Sequence, residues 1–355
     1  MIKVFTPSFA DEADTNAQNL SVKEVVCRLD PSAFEVTMLH EGRPDSRITS
    51  RPNTRLLAWR AHGNTLRIIF DILAKAPDVY FFPREGPLDA AFLKVRRYFR
   101  LKTALVSYVI SGGLDSGPYP PAREQQIRQA DLVFDNNAHL GQLLREKMGI
   151  ASAGTIHDGI DRRYFFCPDD GRRRRPQIIV LFAGSFRPYK RVPLVVRQAA
   201  GWPNVQFRIA GTGEEEQLCK KLAAESGCKN VHFLGHLSQA QLGEEMRQAD
   251  IFFFPSVLEG HPQVLLQAAG CGLPAVAMRI YRPDSVVDGQ TGFLADGDED
   301  LSFKLDQLIR NPELRSCMSR AAAAHARKFD WDMIAAKWSQ AFEQVVAKRG
   351  QSLAW

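Results

Sequence analysis

The chain has 355 residues, of which 45% are hydrophobic and 24% charged, and its net charge is +6. This length is enough for two domains with a core each, and the composition is that of a soluble globular protein. No apolar run approaches the roughly 18 residues that a membrane-spanning helix needs, and the N-terminus has no stretch typical of a signal peptide. The six cysteines form no CxxC pair, which favours reduced thiols over a zinc site. We therefore expect a cytoplasmic protein.

Strand-like runs alternate with helical patterns along the first half of the chain. The strands read MIKVFT, FEVTMLH, DVYFFP, TALVSYVI and DLVFD, with helical stretches such as AQNLSVKEVVCRL and AHLGQLLREKM between them. This rhythm predicts a parallel sheet with helices on both faces, in a first domain over residues 1–166. The charged residues 167–176, rich in Gly and Pro, predict a linker.

The same rhythm begins again after the linker, with QIIVLFAG, VQFRIAG, VHFLG, DIFFFPS and PAVAM. It predicts a second domain over residues 177–330, so the predicted fold class is α/β with two doubly wound Rossmann-like domains. Residues 331–355 carry an apolar stripe that predicts a final amphipathic helix. The stripe consists of Trp331, Ile334, Trp338, Phe342 and Val345. Such sheets bind ligands at the carboxyl ends of their strands, so the residues after each strand are the candidates.

The first strand of the second domain is followed by a turn rich in cations. Gly184 and Ser185 allow a tight turn, and Arg187, Lys190 and Arg191 come next. These side chains suit a diphosphate group, although an ordinary exposed basic turn accounts for the same residues.

The next two strand ends give weaker signals. Gly211 and Gly213 resemble the start of a dinucleotide fingerprint, but Glu216 occupies its third glycine position. This argues against NAD and leaves a close approach of the backbone to some ligand. His236, after the third strand, suits either a pocket for a nucleotide base or a surface loop.

Residues 254–272, FPSVLEGHPQVLLQAAGCG, give the clearest signal. Glu259 precedes a helix that we expect to have Pro262 as its first residue, and Gln267 is a polar side chain in an apolar run. A helix N-terminus attracts phosphate groups, and side chains on a helix lean back toward it. The segment therefore predicts a site for a phosphorylated, hydroxyl-bearing ligand.

The first domain offers fewer candidates. Thr15 and Asn16 follow its first strand, and His157 stands beside an Asp-Gly turn near the domain junction. Positive charge gathers at residues 94–102 and 171–176, which suits an anionic membrane surface or an anionic substrate, or else makes a solvated face. Apart from Tyr98 and Phe99 these clusters lack aromatic residues for stacking, so we expect no nucleic-acid partner.

The order of the motifs resembles a known family. GSFRPYK, AGTG, FLGH, residues 254–272 and DGQTGFLADGDED follow one another as in the family 4 (group 1) retaining glycosyltransferases, which have the GT-B architecture. The resemblance runs from about Ile178 to the C-terminus, and the first half shares only the rhythm and the element IHDGIDRRYF. It implies two Rossmann-like domains facing across a cleft and a C-terminal helix that crosses back to the first domain.

The resemblance also implies an activity. A sugar would move from a nucleotide-sugar donor to an acceptor hydroxyl with retained configuration, without a metal or other cofactor. The acceptor would be a glycan or a lipid-linked sugar in polysaccharide or envelope glycan synthesis, and the protein would lie in the cytoplasm or at the inner face of the membrane.

Residue by residue, the resemblance makes Arg187 and Lys190 the ligands of the donor diphosphate. Glu259 takes the first acidic position of a Glu-x7-Glu motif, beside the transferred sugar, and Gln267 takes the second, where the family usually has Glu on the ribose hydroxyls. The other implied donor-binding residues are Gly184, Ser185, Gly211, Gly213, His236, Gly260, His261, Pro262, Val264 and Leu265. The first-domain candidates are Thr15, Asn16, His157 and Tyr108, which ends a strand where the family often has a histidine.

Two other functions remain open because of Gln267 and the absence of that histidine. One is a nucleotide-sugar-binding protein that has lost catalysis. The other is an epimerase of the same architecture, which would convert its donor without an acceptor.

Overall fold

The structure, a computed structural model, describes residues 1–12, 16–60, 63–83, 86–110, 120–168 and 177–351. The chain forms two compact units, one comprising Met1–Asp158 with Trp331–Trp355 and the other Gly159–Asp330. The division falls earlier than the predicted boundary after residue 166, because Ile160 and Phe165 are buried in the core of the second unit. Of the predicted linker, residues 169–176 lie outside the described part of the chain.

The first unit contains a parallel sheet in the order β3-β2-β1-β4-β5-β6. Its strands are β1 (Ile2–Phe9), β2 (Phe34–His40), β3 (Thr54–Ala58), β4 (Val79–Phe81), β5 (Ala104–Val109) and β6 (Leu132–Asp135). Its helices are α1 (Ala17–Arg28), α2 (Ser46–Thr49), α3 (Thr65–Lys75), α4 (Pro87–Tyr98), α5 (Pro121–Arg128) and α6 (Ala138–Met148). The sequence analysis did not predict β3, which lies at the edge of the sheet and is only half-buried.

The last helix of the chain, α13 (Trp331–Gln351), completes the core of the first unit. The predicted apolar stripe is buried along its whole length. The Trp338 ring lies 4.7 Å from the ring of Phe81 and 5.0 Å from the ring of Tyr108, measured between centroids. A helix distant in sequence from the sheet is therefore part of its hydrophobic core.

The second unit repeats the plan of the first, with a parallel sheet in the order β12-β11-β10-β7-β8-β9. Its strands are β7 (Ile179–Ala183), β8 (Gln206–Ala210), β9 (Val231–Gly235), β10 (Ile251–Phe254), β11 (Ala275–Met278) and β12 (Gly292–Ala295). Its helices are α7 (Val192–Ala200), α8 (Glu216–Glu225), α9 (Gln239–Gln248), α10 (Gln263–Gly270), α11 (Asp298–Arg310) and α12 (Pro312–Ala326). Short 3-10 turns follow β7 (Pro188–Lys190) and α12 (Arg327–Phe329).

Both sheets have the strand order of doubly wound nucleotide-binding folds. In the second unit the chain order reverses between β7 and β10, which are adjacent and parallel. A crevice opens beyond the carboxyl ends of such a strand pair, because the loops that follow the two strands leave in opposite directions. Within the described residues, no helix is both long enough and apolar enough to span a membrane.

Candidate active site

The loops that follow β7 and β10 meet at the point where the strand order reverses. The amide of Val257, after β10, donates to the carbonyl of Tyr189, after β7, at 3.0 Å. This bond holds the two loops side by side, so the side chains of FRPYK and SVLEG share one region.

Lys190 and Glu259 form an ion pair in this region. Lys190 Nζ lies 2.5 Å from Glu259 Oε1, and the buried hydroxyl of Ser256 donates to the same oxygen at 2.5 Å. The Lys190 ammonium also lies 5.0 Å from the centroid of the Phe254 ring. Both charged side chains are largely withdrawn from water, with 13% of Lys190 and 12% of Glu259 exposed. Because the pair is largely buried and hydrogen-bonded, it holds the ammonium group of one loop and the carboxylate of the other in a fixed position.

The two other cations of the turn differ from each other. Arg187 is exposed and has no acidic partner among the described residues, whereas Arg191 pairs with Asp298 at the start of α11. Arg187 is therefore the cation of this turn that has no ion pair, whereas Lys190 is held by Glu259 and Arg191 by Asp298.

Helix α10 begins just beyond the Glu259 turn, but one residue later than predicted. Pro262 is the residue before the helix, with φ −68° and ψ 112°, and Gln263 is the first helical residue. The ring nitrogen of Pro262 carries no proton, and its side chain has no acceptor that could cap the first turn. The first-turn N–H groups and the positive end of the helix dipole thus follow the Glu259 turn directly along the chain.

Gln267 is buried in the second turn of α10, with 8% of the residue exposed. Its Nε2 donates to Oε1 of Gln239, the first residue of α9, at 3.1 Å. Its own Oε1 is buried and has no hydrogen-bond partner among the residues that the structure describes. The sequence analysis missed Gln239, because nothing in the segment HLSQAQ distinguishes it from a solvated residue at the start of a surface helix.

The two glycines after β8 are required by the neighbouring loop. Gly211 has φ +124°, and a Cβ there would lie 1.9 Å from the carbonyl oxygen of Gly184. Gly213 has φ +153°, and its Cβ would lie 2.8 Å from the amide nitrogen of Phe186. From the sequence, these glycines indicate a close approach of the backbone to a ligand. The structure shows that the backbone they approach is the loop after β7.

The remaining donor-site candidates occupy different environments. Ser185 and His236 are exposed, Gly260 and Val264 are half-buried, and His261 is buried with its ring 6.0 Å from that of Phe329. Leu265 is a fully buried core residue, so only its backbone is available to a ligand.

A buried phenol lies near the Glu259 carboxylate. Burial, together with the negative charge of Glu259, raises the pKa of Tyr281 well above its usual value. Tyr281 therefore stays neutral, and Lys190 is the charged partner of Glu259.

Two candidates of the first unit, Asn16 and His157, make hydrogen bonds within that unit. The side chain of Asn16 caps α1 by accepting from the amide of Gln18 at 3.0 Å. Nδ1 of His157 lies 3.0 Å from the carbonyl oxygen of Asn136. Thr15 lies outside the described residues.

Tyr108 was predicted to line a cleft, and this prediction is wrong. Its ring packs against Trp338 in the core, and its hydroxyl donates to the carbonyl of Ile156 at 2.6 Å. The sequence could not show this, because the residue that buries Tyr108 belongs to the last helix.

Asp158 is a buried carboxyl group whose environment the sequence did not reveal. Its Oδ1 accepts from the Ser21 hydroxyl at 2.6 Å, and its Oδ2 lies 3.4 Å from Nδ2 of Asn136. Burial raises the pKa of Asp158, although the hydrogen bonds and the nearby His157 act in the opposite direction.

Residues 168–325 match the model of the family described as glycosyl transferases group 1. This part of the chain belongs to the group 1 glycosyltransferases. The family resemblance predicted from the order of the motifs is therefore confirmed over residues 168–325.

Curated relatives point to the same family. A D-inositol 3-phosphate glycosyltransferase of Streptomyces scabiei is 33% identical over 262 residues, with 64% of this chain and 58% of the relative covered. The protein of the same name from Mycobacterium bovis is 32% identical, with 66% of this chain and 54% of the relative covered. The chain thus spans little more than half the length of these relatives.

Solved structures share the whole fold at low identity. Sucrose-phosphate synthase from Thermosynechococcus elongatus has a TM-score of 0.83 at 18% identity, with 98% of this chain and 100% of that chain covered. Anabaena HepE, solved in complex with UDP and glucose, has a TM-score of 0.74 at 16% identity, with coverages of 97% and 100%. The predicted fold class, α/β with two Rossmann-like units of the GT-B type, is confirmed.

Proposed function

We propose that this group 1 glycosyltransferase transfers a sugar from a nucleotide-sugar donor to an acceptor hydroxyl, with retained anomeric configuration. The observation that carries the proposal is the Lys190–Glu259 pair at the strand-order reversal of the second unit, with Arg187 unpaired beside it. Two cations and a helix N-terminus suit a diphosphate, while a fixed carboxylate suits the hydroxyl groups of a sugar.

In the proposed reaction, the bond between the anomeric carbon and the donor phosphate oxygen breaks, and a bond to the acceptor oxygen forms on the same face. The proton of the acceptor hydroxyl passes to the departing phosphate. Arg187, Lys190 and the first turn of α10 would stabilise the negative charge that develops on the nucleoside diphosphate. Glu259 would hold the sugar in place, and Ser256 would hold Glu259.

We propose that these protein cations replace a metal, so the reaction needs no metal and no other cofactor. A hexose donor is the first to test, since Anabaena HepE was solved with UDP and glucose. The relatives named D-inositol 3-phosphate glycosyltransferases make a phosphorylated polyol a reasonable first acceptor, beside glycan and lipid-linked acceptors of envelope synthesis. The proposed location is the cytoplasm, with attachment to the inner face of the membrane.

The test is the turnover of variants at the ion pair. Lys190→Ala and Glu259→Ala should each lower kcat about 100-fold or more, because each removes a charge that acts on the transition state. Release of nucleoside diphosphate measures turnover, NMR of the product gives its anomeric configuration, and turnover should persist in EDTA.

A matched control comes from a second ion pair of the same unit. Arg208 pairs with Glu245 at 2.8 Å and is similarly half-buried, but it lies on β8 and outside the proposed site. Arg208→Ala should lose stability and keep its turnover. Native turnover in either site variant, or consumption of the donor without any acceptor, would contradict the proposal.

A further inference from the structure

The basic segment at residues 94–102 forms the C-terminal end of α4 and the turn after it, in the first unit. It contains five cations and no acid. Two adjacent aromatic residues lie among the cations and are open to solvent, since 82% of Tyr98 and 59% of Phe99 are exposed. Their rings contact each other edge to face, with centroids 4.9 Å apart.

The cations of this segment divide into two groups. Arg96 is half-buried and pairs with Asp131 at 2.6 Å, and Arg349 of α13 pairs with the same carboxylate. The carboxylate that Arg96 contacts is therefore already neutralised. The other cations are exposed and have no ion pair within the described ranges of the chain: Lys94, Arg97, Arg100 and Lys102.

A hollow of about 420 Å³ is lined by residues that precede and follow the aromatic pair in the chain. Its walls combine guanidinium groups with aliphatic side chains, as a phosphodiester joined to an apolar chain requires. The lining residues are Leu93, Arg96, Arg97, Arg100, Leu101 and Gln129.

We propose that this end of α4 docks on an anionic phospholipid bilayer. Tyr98 and Phe99 enter the headgroup region, where aromatic rings are favoured, and the guanidinium groups of Arg97 and Arg100 bind lipid phosphates. A single aromatic pair ringed by cations fits a planar surface, whereas a nucleic-acid strand needs stacking platforms along its length. The inference rests on the membrane attachment proposed above and names the residues responsible for it. Its test does not depend on sugar transfer, because binding is measured without substrates.

The experiment is sedimentation of the full chain with vesicles of phosphatidylcholine alone or with phosphatidylserine. We expect binding that depends on phosphatidylserine and weakens with added NaCl, since exposed charges are screened. Each cation near an anionic surface contributes about fivefold to partitioning, so Lys94→Glu with Arg97→Glu should weaken binding more than tenfold. Tyr98→Ser with Phe99→Ser should weaken it by about tenfold as well.

Controls lie on the second unit. Phe303 on α11 has the same exposed fraction as Phe99, 59%, and Arg197 is an exposed arginine in the last turn of α7. Phe303→Ser and Arg197→Glu should bind vesicles like the native chain, and every variant should keep its thermal unfolding midpoint. The proposal fails if the native chain does not bind phosphatidylserine vesicles, if the α4 variants bind as tightly as the controls, or if an oligonucleotide displaces the vesicles from this surface.

Discussion

The side-chain oxygen of Gln267, on α10, receives no hydrogen bond from the described residues. This oxygen is buried, and the nitrogen of the same amide donates to Gln239. A buried carbonyl without a donor costs on the order of 1–3 kcal/mol, and a ligand hydroxyl that reaches it would recover part of this energy. Gln267 and Gln239 together therefore form a neutral amide pair at the position where the family usually presents a carboxylate.

Gln267→Glu should strengthen binding of a nucleoside diphosphate by roughly fivefold, or about 1 kcal/mol, because a carboxylate makes stronger hydrogen bonds to hydroxyls than an amide does. The Gln239 amide can rotate to donate Nε2 to the new carboxylate. Isothermal titration with UDP, GDP and ADP measures the change. The double variant Gln267→Glu with Gln239→Ala should lose part of the gain, and weaker binding by the single variant would contradict the assignment of position 267 to the ribose.

The raised pKa of Asp158 predicts how stability depends on pH. In the unfolded chain the group titrates near 3.8, and in the folded chain it titrates higher. Between these two values the folded state binds more protons, so the contribution of Asp158 to the free energy of unfolding falls as pH rises. Asp158→Asn removes this dependence and retains an oxygen that can accept from Ser21.

Urea unfolding of both proteins at a series of pH values measures the effect. The stability of Asp158→Asn relative to the native chain should increase as pH rises above 3.8, and should level off above the folded pKa. A difference that does not change with pH would show that the pKa of Asp158 is the same in the folded and the unfolded chain.

At the scale of elements, three strand-end loops depend on one another. The amide of Gly184 donates to the carbonyl of Ala210 at 3.1 Å, and the amide of Gly211 donates to that of Gly235 at 2.7 Å. The loop that carries Arg187 and Lys190 is thus positioned by the loop after β8. The glycines of that loop support the site although they carry no functional group.

Gly211→Ala should lower the free energy of unfolding by about 3 kcal/mol or more, because the new Cβ meets the Gly184 carbonyl and the residue has a positive φ. Gly227 is the control, since it has φ +64° and nothing within 4 Å of its added Cβ. Gly227→Ala should cost only about 1 kcal/mol. Chemical denaturation measures the free energy of unfolding of both variants. Equal losses in the two would mean that the loop after β7 moves to accommodate the new Cβ.

The sequence was a good guide to elements with a clear apolar pattern and a poor guide to edges and to long-range partners. The predicted run FEVTMLH is β2, and AHLGQLLREKM is α6. The strands β3 and β12 were missed because both are short sheet edges: β3 is only half-buried, and β12 has four residues. The motifs located the loops of the site, but neither the contact of Gln239 with Gln267 nor the burial of Tyr108 follows from local pattern.

For the molecule as a whole, the core of the first unit depends on a helix at the other end of the chain. Trp338→Ala should lower the stability of the first unit by about 3–5 kcal/mol, since it removes a fully buried indole. Hydrogen exchange should show lost protection in β4 and β5 and unchanged protection in β7 and β10.

The matched control is Trp202, a half-buried indole of the second unit that packs under Arg310. Trp202→Ala should lower protection in the second unit alone. Loss of protection in both units after either substitution would mean that the two unfold together.

The placement of α13 also sets an order of events during synthesis. The second unit is one continuous segment, Gly159–Asp330, and all of it leaves the ribosome before α13 does. The first unit is made first but lacks Ile334, Trp338 and Phe342 until α13 has been made. Domains commonly fold in the order in which they emerge. In this chain the second unit can fold while the first unit still lacks its last helix. The nascent first unit is therefore the part most exposed to chaperones and proteases.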